Sequence, residues 1–272
     1  MNVRIQFAKF GSMKFIGHLD VMRYFQKAVR RAGIDVVYSQ GYHPHQIMSF
    51  ACPLGVGVTG ETEFLDLEVK GEFTPKEIAD RLDQTMTDGF RVISCRILPE
   101  PQNGRKRETA MSLITAADYL FSLKDTAVLS VNHTDMREKW KEFLSQNEIA
   151  LTREVKKSGT QETLDIKPYL YLYGFTKSDI LDTAPISDNY YRDSDRVFFS
   201  ENPKEIQRYY ETYENGLTFS IRLSCGSAVN IRPEELLSEF CAYCNILFRA
   251  SDWQVHRFGL YTGTYPQFLQ LM

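Results

Sequence analysis

The chain has 272 residues, a formal net charge of −3 and 25% charged residues. This balance fits a globular protein of about two domains and excludes a disordered chain. No apolar run approaches the roughly 20 residues that span a bilayer, and residues 1–7 alternate like a strand instead of forming a signal peptide. We therefore expect a cytoplasmic protein with no membrane partner. The five cysteines are an odd number, which favours reduced thiols over a secreted disulfide scaffold.

Positive charge is concentrated at the start of the chain. Residues 1–50 contain seven Lys or Arg and two Asp or Glu, a net charge of +5, so the remainder of the chain sums to −8. A basic region on an acidic chain suggests a local anionic partner, either nucleic acid or a phosphorylated ligand. The alternative is a basic helix face that is simply solvated.

The first 98 residues are predicted to form one βαββαβ unit. Period-2 alternation marks strands, helical spacing marks two helices, and Gly33 ends the first helix. Thr74 and Glu77 form a capping box with Pro75 at the first helical position, which predicts the start of the second helix. This order of elements is that of a ferredoxin-like fold. We expect strands at 2–7, 35–38, 63–69 and 90–97, and helices at 19–32 and 75–88.

The second half repeats this plan loosely. Residues 99–115 combine turn formers with charge and are predicted to be a linker. Residues 116–272 are predicted to form a second ferredoxin-like domain, with a polar, tyrosine-rich insertion near 176–216. The fold class is then α+β, with tandem ferredoxin-like domains and antiparallel sheets. We expect strands at 119–124, 164–175, 217–225 and 253–261, and helices at 135–145 and 233–247.

The first helix carries a basic stripe opposite its apolar side. Arg23, Lys27, Arg30 and Arg31 follow the spacing i, i+4, i+7 and i+8, which places them on one face. Four cations on one stripe repel one another, and Asp20 supplies one partner. A phosphate backbone would relieve this repulsion, so we interpret the stripe as RNA-binding.

The loop after this helix is rich in groups that recognise bases. Aromatic rings stack on bases, and amides, hydroxyls and imidazoles can contact base edges or sugar hydroxyls. The alternative is a polar hairpin with exposed histidines. The predicted RNA-binding residues in and after this loop are Tyr38, Gln40, Tyr42, His43, His45 and Ser49.

Two histidines are candidates for catalysis. His18 precedes the first helix, next to the basic stripe, and could act as a general acid or base on an RNA phosphodiester. His43 lies in the aromatic loop and is the second candidate. For His18 the alternative is a capping or packing role.

No cofactor or metal is predicted. His43 and His45 are only two ligands, whereas a zinc site needs three or four. Cys241 and Cys244 fall on the apolar face of a predicted helix, as core cysteines do, and would need Cys225 and His256 to converge on them. The G-x-G-x-x-G of residues 55–60 is followed by a strand instead of a helix, which argues against a dinucleotide site.

Four segments together resemble a known family. Residues 14–20, 30–33, 38–45 and 49–57 match, in order, the patterns F-x-S-H-L-D, R-R-A, Y-S-x-G-F-x-P-H-P and S-F-A-x-P-L of the radical SAM-linked protein family, the bacterial domain of unknown function number 2344. Gly17 and Gln46 stand where the family has serine and proline. The resemblance implies a protein encoded beside, or fused to, a radical SAM enzyme and near an RNA-processing ribonuclease. A weaker, fold-level likeness is to CRISPR repeat-processing endoribonucleases.

Three hypotheses follow. The first is a non-catalytic RNA-binding accessory protein of a radical SAM enzyme, acting in RNA modification or maturation. The second is a metal-independent endoribonuclease or RNA-modifying enzyme that uses His18 or His43. The third is a protein-interaction adaptor whose loop docks on the radical SAM partner.

Overall fold

The structure is a computed structural model that describes residues 1–100, 107–127, 132–155, 159–181, 197–199, 209–226 and 229–271. These residues form a mixed α+β fold with a mostly antiparallel sheet and six α-helices. No helix among them is long and apolar enough to cross a membrane. The helices are α1 (His18–Arg31), α2 (Pro75–Asp83), α3 (Ala110–Leu113), α4 (His133–Ser145), α5 (Ser178–Leu181) and α6 (Pro233–Tyr243). The strands are β1 (Asn2–Lys9), β2 (Met48–Phe50), β3 (Thr59–Glu68), β4 (Phe90–Ile97), β5 (Ile114–Leu123), β6 (Ala150–Val155), β7 (Thr160–Asp165), β8 (Leu170–Gly174), β9 (Val197–Phe199), β10 (Thr218–Ser224), β11 (Trp253–Thr264) and β12 (Gln267–Gln270).

The first half of the chain has the element order β1-α1-β2-β3-α2-β4, as predicted. Its strands lie in the order β4-β1-β3-β2, and each pair is antiparallel. The strand expected at 35–38 is reduced to two isolated bridges, Val36 with Val69 and Tyr38 with Gln46. The chain does touch the sheet there, since the Val37 N–H donates to the Glu68 carbonyl at 2.9 Å. The paired second strand is β2, which follows the loop of residues 39–45.

The second half arranges its strands in the same relative order. β8, β10, β5 and β11 are neighbours in that sequence, and every pair is antiparallel. Helix α4 lies between β5 and β8 in the chain, and α6 lies between β10 and β11. The hairpin β6–β7 forms a separate two-stranded sheet, and β12 adds to β11.

One parallel contact joins the two halves into a ten-stranded sheet. β11 pairs with the start of β3, where His256 lies opposite Thr59 and Arg257 opposite Gly60. The short β2 covers β3 only at residues 65–67, so the first residues of β3 are open to a second neighbour. Charged side chains from both halves are thereby brought to one place.

Each half has its own apolar core. In the first half Phe7, Phe25, Phe50 and Phe90 contact one another with ring centroids 4.6 to 6.3 Å apart. In the second half Trp140 is fully buried between aromatic rings of β10 and α6.

The apolar stripe of α1 differs from the predicted one at its first turn. The i, i+3 spacing of Leu19, Met22 and Phe25 predicts a buried Leu19, but its side chain is 62% exposed. His18 takes the inward position, two turns before Phe25, and Leu19 is rotated about 100° away from it. Val21, Phe25, Ala28 and Val29 complete the buried face.

Candidate functional site

The outer face of α1 presents cations that have few negative charges near them. Arg23, Lys27, Arg30 and Arg31 are all exposed. Asp20 contacts Arg23 at 3.5 Å, with both side chains about two-thirds exposed, so this pair contributes little. Within the described residues no carboxylate pairs with any of the other three. The predicted basic stripe is therefore present at the surface and open to an anion.

The segment from Tyr38 to Gln46 is a closed loop. The Ser39 backbone N–H donates to the His45 carbonyl at 2.8 Å. The Ser39 hydroxyl accepts from the His45 backbone N–H at 3.1 Å and lies 2.8 Å from His45 Nδ1. Gly41 has a φ of 118°, a conformation that favours glycine at the tip. Exposed Gln40, Tyr42 and His43 are left at the tip, and the Tyr42 side chain is fully exposed.

The base of this loop is attached to α1. The buried Gln46 side chain donates to the Gln26 carbonyl at 3.2 Å and to the Tyr38 hydroxyl at 3.4 Å. Arg30 Nε donates to the same Gln26 carbonyl at 3.3 Å. The structure thus brings the aromatic loop and the basic stripe together on one surface, which we call the helix–loop surface (residues 23–46). Ser49 is half-buried in β2 opposite Asp66, past the loop.

His18 occupies a different environment from His43. Its ring packs edge-on against Phe50, with centroids 5.4 Å apart, and it lines a small cavity with Lys9 and Glu63. Burial, and then the nearby Lys9 ammonium group, lower the pKa of His18. His43 is exposed in the loop. Both were candidates for catalysis in the sequence, and the structure places His18 in a packed cavity and His43 at an open tip.

A group of buried ionisable residues lies where β3 meets β11, and the sequence analysis did not predict it. We call Lys9, Glu61, Glu63, His256 and Arg257 the junction cluster. All five are buried, and His256 is completely so. Because buried charges are stable only when paired or hydrogen-bonded, each of these residues needs a partner close by.

Arg257 holds one side of the junction cluster. Its Nε donates to Glu63 Oε1 at 2.9 Å, and its Nη2 donates to Glu63 Oε2 and to the Cys52 carbonyl. Lys9 donates to the carbonyl of Ile16 at 3.0 Å. Burial lowers the pKa of the Lys9 ammonium group, and the Glu63 carboxylate opposes that effect. Gly60 permits this packing, because a Cβ there would lie 2.5 Å from Glu63 Oε1.

His256 holds the other side. Its Nε2 lies 3.1 Å from Glu61 Oε2, and its Nδ1 lies 2.9 Å from the Thr59 hydroxyl. Burial lowers the pKa of His256, although the Glu61 carboxylate counteracts it, so we assign a neutral ring that donates to Glu61 and accepts from Thr59. Lys177 donates to the same Glu61 carboxylate at 2.5 Å. Burial raises the pKa of Glu61, but its bonds to His256 and Lys177 bring the pKa below its ordinary value.

The cysteines do not assemble a metal site. Cys241 and Cys244 are buried in the apolar core around α6, as the helical spacing predicted. Cys225 lies 3.0 Å, sulfur to sulfur, from Cys52 instead, and His256 bonds to Glu61. Among the described residues no group of three or more His, Cys, Asp or Glu side chains could hold a metal ion.

Comparison with known proteins gives a family and little else. A family model described as "Uncharacterized protein conserved in bacteria (DUF2344)" matches residues 2–196. No curated protein matches the chain. A crystal structure of an unknown protein from Galdieria sulphuraria is 10% identical and aligns over 100% of this chain and 98% of that one, with a TM-score of 0.22. A score this low carries no conclusion about fold or function.

Proposed function

The chain belongs to the DUF2344 family of uncharacterized proteins conserved in bacteria, and on that premise we propose that it is a cytoplasmic RNA-binding accessory protein of a radical SAM enzyme. One observation supports this most directly. The side chains of Gln46 and Arg30 both donate to the Gln26 carbonyl, which places the aromatic loop beside the basic stripe. The radical SAM partner comes from the family resemblance of the sequence motifs.

The stripe supplies affinity in this proposal. Lys27, Arg30 and Arg31 are exposed, and no carboxylate of the described residues neutralises them. Binding to a phosphate backbone would release the counter-ions condensed on the RNA, and this entropy gain supplies sequence-independent affinity. Arg31 is also positioned by the Thr85 carbonyl, to which it donates at 3.1 Å.

The loop supplies recognition. Tyr42 is fully exposed at the tip, where its ring can stack on an unpaired base. Gln40, His43 and His45 offer donors and acceptors beside it. His45 is fixed by its contacts with Ser39, so a base would meet a partly preorganised group.

We also propose that the two halves are tandem ferredoxin-like units. The strand order β4-β1-β3-β2 in the first half and the order β11-β5-β10-β8 in the second support this, because both correspond to the fourth, first, third and second strand of a βαββαβ unit. A rigid sheet beneath α1 would hold the helix–loop surface in one orientation.

The test is binding to a pool of cellular RNA, measured by filter binding across a salt series. Each phosphate contact contributes a slope of about 0.7 in log affinity against log salt for single strands. The variant Lys27→Ala/Arg30→Ala loses two such contacts. Its negative slope should therefore be shallower by about 1.4, and its binding at 0.1 M salt should be ~25-fold weaker. The control Lys141→Ala/Arg249→Ala removes two exposed cations from the second half and should bind like the wild type.

Recognition by the loop is tested separately. Tyr42→Ala should weaken binding by ~1–3 kcal/mol, the usual contribution of one stacked base. Tyr42→Phe keeps the ring and should retain the affinity. If both variants bind like the wild type, the loop does not stack on RNA.

The same incubations distinguish the two other hypotheses. An accessory binder leaves labelled RNA intact, whereas cleavage that is lost in His18→Ala or His43→Ala would favour an endoribonuclease. Absence of salt-sensitive binding, together with co-purification of a radical SAM protein after nuclease treatment, would favour an adaptor.

A further inference from the structure

Two thiols from opposite halves of the chain meet at the junction. Cys52 follows β2 in the first half, and Cys225 follows β10 in the second. Their sulfurs are 3.0 Å apart, although the residues are separated by 173 positions in sequence. Both thiols are free. A disulfide bond requires about 2.05 Å between sulfurs, so its formation needs an approach of only about 1 Å.

The surroundings make the two sulfurs unequal. Either sulfur can donate the hydrogen bond between them. With Cys225 as the donor, this bond lowers the pKa of Cys52 despite its burial, with help from the Arg257 guanidinium. The same interaction and burial raise the pKa of Cys225. Arg257 is held in place by Glu63 and contacts the Cys52 carbonyl. Cys52 is also the less buried of the two, so we take it as the attacking sulfur of the pair.

The other three cysteines are unreactive by comparison. Burial raises the pKa of Cys95 and of Cys241 to about 12, and that of Cys244 to about 11. Only thiolates act as nucleophiles at sulfur. The chain therefore contains its own reference thiols, against which a reaction at Cys52 can be compared.

A cavity adjoins Cys52. The residue is half-buried and lines a cavity of about 200 Å³ between the two halves. Asn230, Arg232 and Glu234, around the start of α6, also line this cavity. The cavity is thus lined by groups able to hold a polar molecule against the sulfur.

We propose that Cys52 and Cys225 form a reversible dithiol–disulfide site that reacts with low-molecular-weight disulfides. The Cys52 thiolate attacks one sulfur of the disulfide, forms a mixed disulfide and releases the first thiolate. Cys225 then loses its proton to solvent and attacks Cys52 Sγ, which breaks the mixed disulfide and releases the second thiolate. Two protein thiols are oxidised to one disulfide, and one small disulfide is reduced to two thiols.

Closure of this bond would link the two halves covalently. A cross-link over so long a loop restricts the unfolded chain and raises its free energy. The oxidised protein should melt roughly 5 °C above the reduced protein. The helix–loop surface is built from residues 23–46 and does not include either cysteine, so this site is independent of RNA binding.

The experiment uses the full chain, with oxidised glutathione as the probe. The protein is incubated with the probe, quenched with acid, denatured, alkylated and mapped by mass spectrometry. The wild type should lose two hydrogen atoms and yield a Cys52–Cys225 cross-linked peptide, while Cys95, Cys241 and Cys244 are alkylated. Cys225→Ser should accumulate one glutathione adduct at Cys52, and Cys52→Ser should give neither product.

Two results would overturn the proposal. One is oxidation of the wild type at the three buried cysteines as fast as at Cys52. The other is the absence of a Cys52 adduct in Cys225→Ser, or in Cys225→Ala if the serine variant does not fold. RNA binding measured in parallel on the reduced protein separates these failures from a failure of the proposed function.

Discussion

Replacing Arg257 by methionine keeps the length of the side chain and removes its charge. The Arg257 side chain is 1% exposed and that of Glu63 is 6% exposed, so the substitution leaves a carboxylate buried without its bidentate partner. It also leaves the Cys52 carbonyl without a donor. Breaking a buried ion pair from one side costs about 3–5 kcal/mol. We expect a loss in this range, with the nearby Lys9 preventing a larger one.

The melting temperature gives a second measure of the same change. An unfolding entropy of roughly 2.1 cal/mol/K per residue amounts to about 570 cal/mol/K over the chain. A loss of about 3–5 kcal/mol then corresponds to a decrease in Tm of roughly 5–9 °C. Urea titration followed by the fluorescence of the buried Trp140 and Trp253 gives the free energy of unfolding directly.

Arg257→Lys is the matched control. It retains the positive charge but has no planar fork with which to contact both Glu63 oxygens and the Cys52 carbonyl. We expect it to lose about half as much stability as Arg257→Met. If Arg257→Met costs less than ~1 kcal/mol, far below the usual cost of breaking a buried pair, the junction cluster does not stabilise the fold. If the lysine variant is as unstable as the methionine variant, shape matters there and charge does not.

Three other changes test the same structure. Gly60→Ala should destabilise by ~1–3 kcal/mol, because its Cβ would lie 2.5 Å from a Glu63 oxygen, whereas Gly55→Ala meets nothing closer than 3.6 Å and should be near neutral by urea titration. Burial lowers the pKa of His256, so below pH 6.5 the unfolded chain takes up a proton at this residue and the folded chain does not. The free energy of unfolding should therefore fall with decreasing pH, by up to about 1.4 kcal/mol per pH unit. Urea titrations at pH 7 and 5.5 should show a smaller fall for His256→Gln. The Thr74 side chain caps α2 by accepting from the Glu77 N–H at 3.2 Å. Thr74→Ala removes this cap and should lower the free energy of unfolding by about 1 kcal/mol, measured by thermal unfolding, whereas Thr74→Ser keeps the hydroxyl and should not.

Local signals predicted much of the fold. The capping box at Thr74 and Glu77 is present, and α1 ends two residues before Gly33, whose φ is 65°. These features depend on residues close in sequence, so a single chain reveals them. The inserted region near 176–216 lies largely outside the described residues.

The junction cluster could not be predicted in this way. Glu61 and Glu63 lie in the polar first half of β3, with Thr62 between them, a pattern that is typical of a solvated strand. Their partners His256 and Arg257 are almost 200 positions away and are brought near only by the parallel pairing of β3 with β11. Of the hairpin β6–β7, the sequence predicted only residues 164–165 as strand, because the outer residues of both strands are polar.

The helix–loop surface was predicted as two separate motifs, and the structure adds the link between them. Nothing in the spacing indicates that Gln46 reaches the Gln26 carbonyl, since the intervening loop determines that contact. Leu19 is exposed although its spacing predicted a buried side chain, because helical spacing alone does not say which residue of the first turn faces the sheet.

The most direct test of the central claim is the affinity for RNA as a function of salt concentration. We predict that the wild type binds cellular RNA with a negative slope of log affinity against log salt. The slope of Lys27→Ala/Arg30→Ala should be shallower by about 1.4, and that of Lys141→Ala/Arg249→Ala should equal the wild type. Equal slopes for all three proteins, or no salt-sensitive binding at all, would contradict an RNA-binding role for the helix–loop surface.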